Sequence, residues 1–489
     1  MTVHGPILWN LLRRPGSRAI VDDRRSTRNV ELLVGSQHIA SIVEAKCQTP
    51  TVGILLPTSG AFPAAAIGAL SLGRTIVPLN YLLKRDELQY VIDDCGTDTI
   101  LTAQPMLDFL GYRPEVKNLV VLDPAHFQGV PDLRWPALPD PSTLAVLLYT
   151  SGTSGKPKGV MLSHANISAN IRQIQNWVGF REGDAVLGVL PQFHSFGMTV
   201  LTFMPLTLGL PVIYTARFVP QKIVSLLREH RPTIFVAIPS MYNALLALKD
   251  ATPDDFRSLR YTVSGGEPLP KAVLDRFRDR FGVTINEGYG LTETSPVTNW
   301  CRPHEFRLGS VGRPIPEVDQ RIIDPNTGRA LPPLHDGEVW IKGPNVMQGY
   351  YHLPEETARA LTPDGFLRTG DIGRFDEDGH LHITGRLKEM LIVGGENVFP
   401  REIEEVIERH PTVQACGVVE RHDPMRGELP LAFIELREGQ TFDRQSLLTH
   451  CRASLAGYKV PTDIRVLDAL PRNPTGKVMR RELKKLASE

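Results

Sequence analysis

The sequence predicts an α/β protein of more than one domain. A large N-terminal part of layered α/β subdomains carries a small β-rich subdomain, and a small α+β unit follows at the C-terminus. Three observations predict this. A chain of 489 residues exceeds what one hydrophobic core organises. Strand-sized apolar runs alternate with helix-sized segments over residues 1–140 and again over 218–282, the pattern of a parallel sheet. Residues 308–352 then change to short strands separated by turns.

Taken in order, TVGILLP (51–57) reads as a buried strand. FPAAAIGALSLG (62–73) is a helix of small and apolar residues ending at glycine, and RTIVPLN (74–80) is the next strand. RDELQYVIDDCG and TDTILTA repeat the alternation. No chemistry stands out before residue 140. An apolar run from Leu144 to Leu148 then opens into YTSGTSGKPKG (149–159).

That stretch has the composition of a phosphate cradle. Thr150, Ser151, Thr153 and Ser154 offer hydroxyls, Gly152, Gly155 and Gly159 let backbone N–H groups turn inward, and Lys156 and Lys158 supply positive charge. It is not the GxxxxGK[ST] loop, because Gly152 and Gly155 are too close and Pro157 follows Lys156. The bland reading is a Gly/Ser hairpin between two strands. The ordered hydroxyls, glycines and lysines favour phosphate.

The next segment turns from strand to helix. Ser163 is placed as N-cap, with Ile167, Ile171, Ile174 and Val178 on one face. From Ala185 to Ala216 there is no Asp, Glu, Lys or Arg. Length alone would permit a membrane span, but Pro191, Gln192, His194, Pro205 and Pro211 interrupt it. Buried core is the better reading, and part of the run could line an apolar tunnel. His194 stands alone there, and such a histidine is more often a satisfied core residue.

RYTVSGGEPLP (260–270) ends a strand in Gly265 and Gly266. Two glycines there admit a flat ring onto the backbone, and a plain βα turn explains them equally well. NEGYGLTETSP follows with a ring at Tyr289, a hydroxyl at Thr292 and a carboxylate at Glu293. Asp371 in RTGD has the two acceptor oxygens that vicinal ribose hydroxyls need, or it is a turn residue. His380 and His382 in GHLHI alternate on a strand without a third ligand, so a surface hairpin is expected. The C-terminal part reads as a helix opening at Pro400, strands at 413–419 and 431–436, a helix at 444–456 and a final basic helix. Lys477 follows a Pro/Gly turn, where lysine is normally solvated.

The balance of 54 Lys plus Arg against 54 Asp plus Glu argues for no nucleic acid and no strongly anionic membrane partner. Five scattered cysteines without CxxC read as reduced thiols, and no leader pattern is present, so a cytoplasmic protein without a transmembrane segment is expected.

YTSGTSGKPKG, PQFHSFG, SGGEPLP, YGLTE and NPTGK occur in an order that closely resembles the adenylate-forming (AMP-binding) enzymes, over about Leu144 to Leu483. The family includes acyl-CoA synthetases, firefly luciferase and the adenylation domains of peptide synthetases, and the fatty acyl-CoA and acyl-ACP synthetases are most alike. The resemblance implies that Thr150 to Lys156 hold ATP phosphates and that Glu293 binds Mg²⁺ with Thr292 beside the phosphates. It places adenine between Gly265–Gly266–Glu267 and Tyr289–Gly290. Ribose falls to Asp371 with Arg386. His194 is set beside the carboxylate substrate, with Gln192 where a small or apolar residue is more usual. Lys477 is the catalytic lysine of adenylation.

The family also implies a boundary at GRLKEM, giving domains 1–387 and 388–489. Lys388 is the hinge, and Gly394–Gly395–Glu396 enters for the thioester step after the mobile C-terminal domain turns. A fatty acid joined to coenzyme A is the first expectation, with carrier-protein phosphopantetheine of an acyl carrier protein as the alternative acceptor and peripheral membrane contact left open. An inactive acyl-AMP or nucleotide-binding relative is the alternative outside catalysis. Lys477, Glu293 and Asp371 are all present, which argues against it. A luciferase-like oxygenase is not separated from a ligase by these motifs.

Overall fold

The structure is a computed structural model of the chain. It describes residues 1–150, 156–393, 396–423, 427–472 and 478–488, with backbone alone at 396, 397, 423, 427 and 488. The expected parallel sheet is present twice. Strand Thr51–Leu55 lies wholly buried in a seven-stranded sheet ordered Gly349–Tyr350, Lys158–Ser163, Leu144–Thr150, Thr75–Pro78, Thr51–Leu55, Thr99–Thr102 and Asn118–Val121. Its last five strands pair in parallel, because the helices Ala61–Ser71 and Arg85–Asp94 provide long crossovers. The first two strands add on antiparallel, Lys158–Ser163 beside Leu144–Thr150 because the connection from Thr150 to Lys158 is too short for a crossover.

The second sheet has eight strands, ordered Val297–Trp300, Asn286–Gly290, Tyr261–Ser264, Ile234–Ala237, Val186–Gly188, Val212–Tyr214, Arg18–Val21 and Ser26–Arg28. Its interior is parallel and each end carries one antiparallel strand. The N-terminal helices His4–Arg13 and Asn29–Lys46 and the hairpin between them went unread in the sequence. The hairpin strands are only four and three residues long and arginine-flanked, so they carry little apolar signal.

The uncharged run is core. Residues Phe196–Phe203 form a π-helix continued by the α-helix Met204–Leu208, and Met198, Val200, Leu201, Phe203 and Met204 are buried in the main hydrophobic cluster. Gly197 sits so close to the preceding turn that a Cβ there would lie 2.1 Å from the Pro191 carbonyl oxygen. Among the described residues no helix is long and apolar enough to cross a membrane.

The β-rich subdomain is a four-stranded antiparallel sheet of Asp319–Ile323, Gly337–Lys342, Leu367–Phe375 and Leu381–Arg386. Two expectations are corrected here. Gly349–Tyr350 leaves this subdomain and pairs with Lys158–Ser163, so it edges the first sheet. His380 is no surface residue: it is buried, and Asp376 faces both it and His382, which sits 3.2 Å from Asp376 Oδ2. Alternation on a strand shows two faces without showing which one is covered. Among the described residues no group of three His, Cys, Asp or Glu is arranged to hold a metal.

After Leu381 the cores change. The main cluster ends there, and separate clusters run from Leu391 to Ile464 and from Ala415 to Leu483. The latter two build a five-stranded sheet with helices Pro400–Glu408, Arg444–Ser454 and Arg480–Ser488.

Candidate active site

The phosphate-cradle stretch connects two antiparallel strands, with Thr150 paired to Lys158 and Tyr149 to Gly159. Ser151, Gly152, Thr153, Ser154 and Gly155 lie outside the described residues. Lys156 is exposed, its ammonium 5.1 Å from the centre of the Tyr90 ring. Lys158 has a different place from the one its loop suggested. Its ammonium bonds Glu356 at 2.6 Å and lies 5.2 Å from the centre of the Tyr350 ring, so this lysine supports the wall of the site.

Tyr350 connects that wall to the next group. Its hydroxyl donates to Glu293 Oε1 at 2.8 Å, and Met347 N–H donates to the Glu293 carbonyl at 2.8 Å. Glu293 and Thr292 occupy the short 3-10 turn Thr292–Thr294, just past strand Asn286–Gly290. The Thr292 hydroxyl lies 3.3 Å from Ser195 Oγ, which brings the His194 segment to the same place. Glu293 Oε2 and the Thr292 hydroxyl are hard oxygen donors of the kind magnesium takes. The other carboxylate oxygen is already oriented by Tyr350, so these residues fit such an ion.

His194 is half-buried, its Nε2 is shielded, and that atom has no partner among the described residues. Burial lowers its pKa to about 4, so the ring is neutral near neutral pH. Gln192 is fully engaged: Oε1 accepts from Ser59 N–H at 3.0 Å and Nε2 donates to Thr202 at 3.1 Å. The departure at this position therefore serves the fold, by satisfying polar groups around the π-helix.

A second group forms where the eight-stranded sheet meets the β-rich subdomain. Asp371 is no turn residue but a buried residue within strand Leu367–Phe375, and its register partner is Arg386 on the next strand. Arg386 Nε bonds Asp371 Oδ1 at 2.8 Å, and the Tyr289 hydroxyl donates to Oδ2 at 2.7 Å. Burial, with Asp371 beside it, raises the Tyr289 phenol far above its ordinary value and keeps it a donor. Each carboxylate oxygen retains a lone pair, as two ribose hydroxyls require.

Gly265 and Gly266 close strand Tyr261–Ser264. Gly266 has φ +81°, which favours glycine, and a Cβ on Gly265 would meet the Phe196 ring at 2.8 Å. Ser264 leaves a buried hydroxyl without a partner among the described residues. Glu267 is half-buried beside this turn. Gly290 has a structural reason of its own, since a Cβ would lie 2.0 Å from the Pro296 carbonyl oxygen. Gly394, Gly395 and Lys477 lie outside the described residues, as does the Glu396 side chain. Lys388 lies in the short 3-10 turn Leu387–Glu389. Tyr350, Ser195 and Phe196 were missed as site residues. The pair Tyr350–Tyr351 was visible in the sequence, but only strand pairing brings Tyr350 to Glu293.

The AMP-binding enzyme family matches residues 9–351, and the AMP-binding enzyme C-terminal domain matches residues 402–477. The chain is similar to the long-chain-fatty-acid–CoA ligase of Bacillus subtilis (strain 168), 34% identical over 481 residues, covering 88% of this chain and 84% of the relative. It is equally similar to the feruloyl-CoA synthase of an Amycolatopsis species, 34% identical over 437 residues and covering 89% and 88%. In three dimensions it resembles ATP-bound MatB from Rhodopseudomonas palustris, with TM-score 0.90, 29% identity and coverage of 100% and 99%. The chain belongs to the AMP-binding, adenylate-forming enzyme family.

Proposed function

We propose that this chain joins a fatty acid to coenzyme A in two steps, through an acyl-adenylate. The carrying observation is the Thr292–Glu293 turn, set between Ser195 on one side and Tyr350 and the phosphate hairpin on the other. In the first step the acid's carboxylate oxygen bonds to the α-phosphorus of ATP, and the bond to pyrophosphate breaks. Negative charge gathers on phosphate oxygens, so positioned donors and cations carry the rate. Here the hairpin donors of Thr150 to Lys156, Thr292 and Lys477 hold the phosphates, while Tyr289, Asp371 and Arg386 hold the nucleoside. A magnesium ion on Glu293 and Thr292 would add positive charge at the same point. His194, being neutral, orients the acid through a hydrogen bond and offers no charge. In the second step the thiol sulfur bonds to the acyl carbon, AMP leaves, and the thiol proton goes to solvent.

The domain boundary belongs to this proposal. Residues 1–387 bind ATP and acid, residues 388–489 turn about Lys388, and Gly394–Gly395–Glu396 replaces Lys477 for the thioester step. The separation of hydrophobic clusters between Leu381 and Leu391 supports a division there.

The fatty-acid reading rests on apolar surroundings. The Phe196 ring lies against Gly265, the Ile238 side chain against Gly266, and Phe193 packs edge-on to Tyr81 at 4.6 Å. Relatives act on dissimilar acids by name, long-chain fatty acids and ferulate among them. ATP–pyrophosphate exchange over straight-chain, aromatic and short polar acids tests the acid. Thioester formation with coenzyme A or a phosphopantetheinyl carrier protein then tests the acceptor. Exchange rising with chain length, and thioester with coenzyme A, is the expected result. A best acid that is aromatic or polar rejects the fatty acid and leaves the adenylate chemistry standing.

A further inference from the structure

Seven large hydrophobic side chains among the described residues are more than 60% exposed, and all seven fall within residues 1–12 and 130–138. Trp9 and Leu12 project from the outer side of helix His4–Arg13, while Leu133 and Trp135 stand on a segment without regular secondary structure, Trp135 at 97% exposure. These two stretches are neighbours. The His4 Nε2–H donates to the Ala137 carbonyl at 2.9 Å. Arg134 fastens the second stretch along helix Asn29–Lys46 through Gln37, Ser41 and Glu44. The same helix meets the first stretch at Asn29, whose amide donates to the Arg14 carbonyl at 2.8 Å.

The helix side of this apolar ground is bordered by positive charge, with Glu182 3.7 Å from Arg14, while exposed Asp132 and Glu44 pair with Arg134 on the other stretch. Residues 13–28 contain six arginines, all exposed, and only two acids. Arg18 and Arg28 are cross-strand partners, and Arg13 and Arg14 end the helix that carries Trp9 and Leu12. Asp22 is half-buried and Asp23 is exposed, and both are already engaged. Asp22 accepts from the backbone of Gly60, Arg24 and Arg25, and Asp23 holds Lys222 at 2.6 Å. A net charge of zero over the whole chain conceals this local excess.

We propose that this face docks on an anionic lipid bilayer, with Trp9, Leu12, Leu133 and Trp135 entering the headgroup region and the arginines of 13–28 contacting lipid phosphates. Tryptophan beside arginine is the chemistry of such an interface: the ring has an apolar body, and the guanidinium binds phosphate oxygens through a planar fork. A second copy of the chain fits less well, since it would bury several of these arginines without phosphate oxygens to pair them.

The test is co-flotation of the full chain with vesicles of phosphatidylcholine alone, and of phosphatidylcholine with roughly one-third phosphatidylglycerol. Binding is expected on the second vesicle only, weakening as salt rises. Reversing Arg13 and Arg14 to Glu should each lower partition at least about fivefold, and the pair Trp9→Asp with Leu12→Asp should abolish it. Trp135→Asp, on the other stretch, should also reduce it, while ATP–pyrophosphate exchange stays at the parent rate in every variant. Absence of flotation, equal flotation on both vesicles, or flotation unchanged in these variants overturns the proposal. A dimer in sedimentation that Trp9→Asp with Leu12→Asp dissolves also overturns it, by assigning the face to a second copy.

Discussion

Tyr289 and Asp371, 82 residues apart, share a 2.7 Å hydrogen bond that joins the eight-stranded sheet to the β-rich subdomain. Arg386 holds the other carboxylate oxygen, so the acid has one orientation before any ligand arrives. Orienting an acceptor in advance lowers the entropy that binding must remove.

Removing one of those donors should therefore weaken nucleotide binding without destroying the fold. Tyr289→Phe is expected to raise the KM for ATP roughly tenfold, the size of one hydrogen bond to a charged group. Asp371→Ala, which removes both acceptors and leaves Arg386 without its partner, should have a clearly larger effect. Steady-state kinetics at varied ATP checks both, and an unchanged KM in Asp371→Ala would remove this group from the ribose.

Tyr350 orients Glu293 and touches no acid substrate in the proposed scheme. Tyr350→Phe should raise the magnesium concentration needed for half-maximal exchange by about tenfold, with a smaller change in rate at saturating metal. Glu293→Gln should lose activity at any magnesium level. Titrating magnesium at fixed ATP separates the two. Identical metal curves for the parent and Tyr350→Phe would show that the hydroxyl does not position the carboxylate.

The apolar pocket is expected at the glycine turn, against Phe196 at the start of the π-helix, and not along the rest of that helix. Gly197→Ala would press a Cβ onto the Pro191 carbonyl and should destabilise the fold by about 1–3 kcal/mol, read as a lower Tm. Ile238, half-buried beside Gly266, is the better probe of the substrate. In the parent, each added methylene should improve binding by up to about 0.8 kcal/mol until the pocket is full. Ile238→Trp should move the best acid to a shorter chain. The profile of kcat/KM against chain length decides it, and a profile unmoved by Ile238→Trp places the acyl chain elsewhere.

Two half-buried groups give opposite pH signatures. Burial raises the Glu287 carboxyl to about 7 from 4.5, with Arg401 opposing and Glu405 assisting the shift. Its folded value is above its unfolded one, so its contribution to stability is complete below pH 4.5 and is lost as pH rises through 7. His194, lowered to about 4, contributes fully above 6.5 and loses its contribution as pH falls toward 4. Glu287→Gln should therefore raise Tm relative to the parent at about pH 8, with the difference shrinking toward about pH 5. An equal difference at both pH values would mean that Glu287 does not titrate in this range.

The half-reactions separate the two ends of the proposed C-terminal movement. Lys477→Ala should lose acyl-AMP formation by several orders of magnitude, yet still convert supplied acyl-AMP and thiol to thioester. Lys388→Pro fixes φ and removes an N–H at the proposed hinge, so it should keep adenylation and block thioester formation. Equal loss of both steps in Lys477→Ala, or normal thioester synthesis in Lys388→Pro, would contradict the respective role.

Much of this protein is legible before folding, where the information is local. The alternation over residues 51–102 implies crossover helices, and those can only return parallel strands to one sheet. Ser163 accepts from Asn166 N–H as an N-cap should, because capping involves residues three apart. Gly266 needs φ +81°, and a glycine at the end of a strand announces such a turn. The groups of hydroxyls, glycines and carboxylates that suggest ATP chemistry are likewise contiguous in the chain.

What only the tertiary structure decided is which of those groups meet. Lys158, in the phosphate stretch by sequence, is bound to Glu356 because strand direction points it there. Tyr350 reaches Glu293 across 57 residues, and Ser195 reaches Thr292 across 97, through strand pairing and the packing of the π-helix. The exposed stretches that carry Trp9 and Trp135 are likewise linked only after folding, by the hydrogen bond between His4 and the Ala137 carbonyl. Residue type and local spacing determine what a side chain can do. Register and burial, which depend on partners far along the chain, determine what it touches.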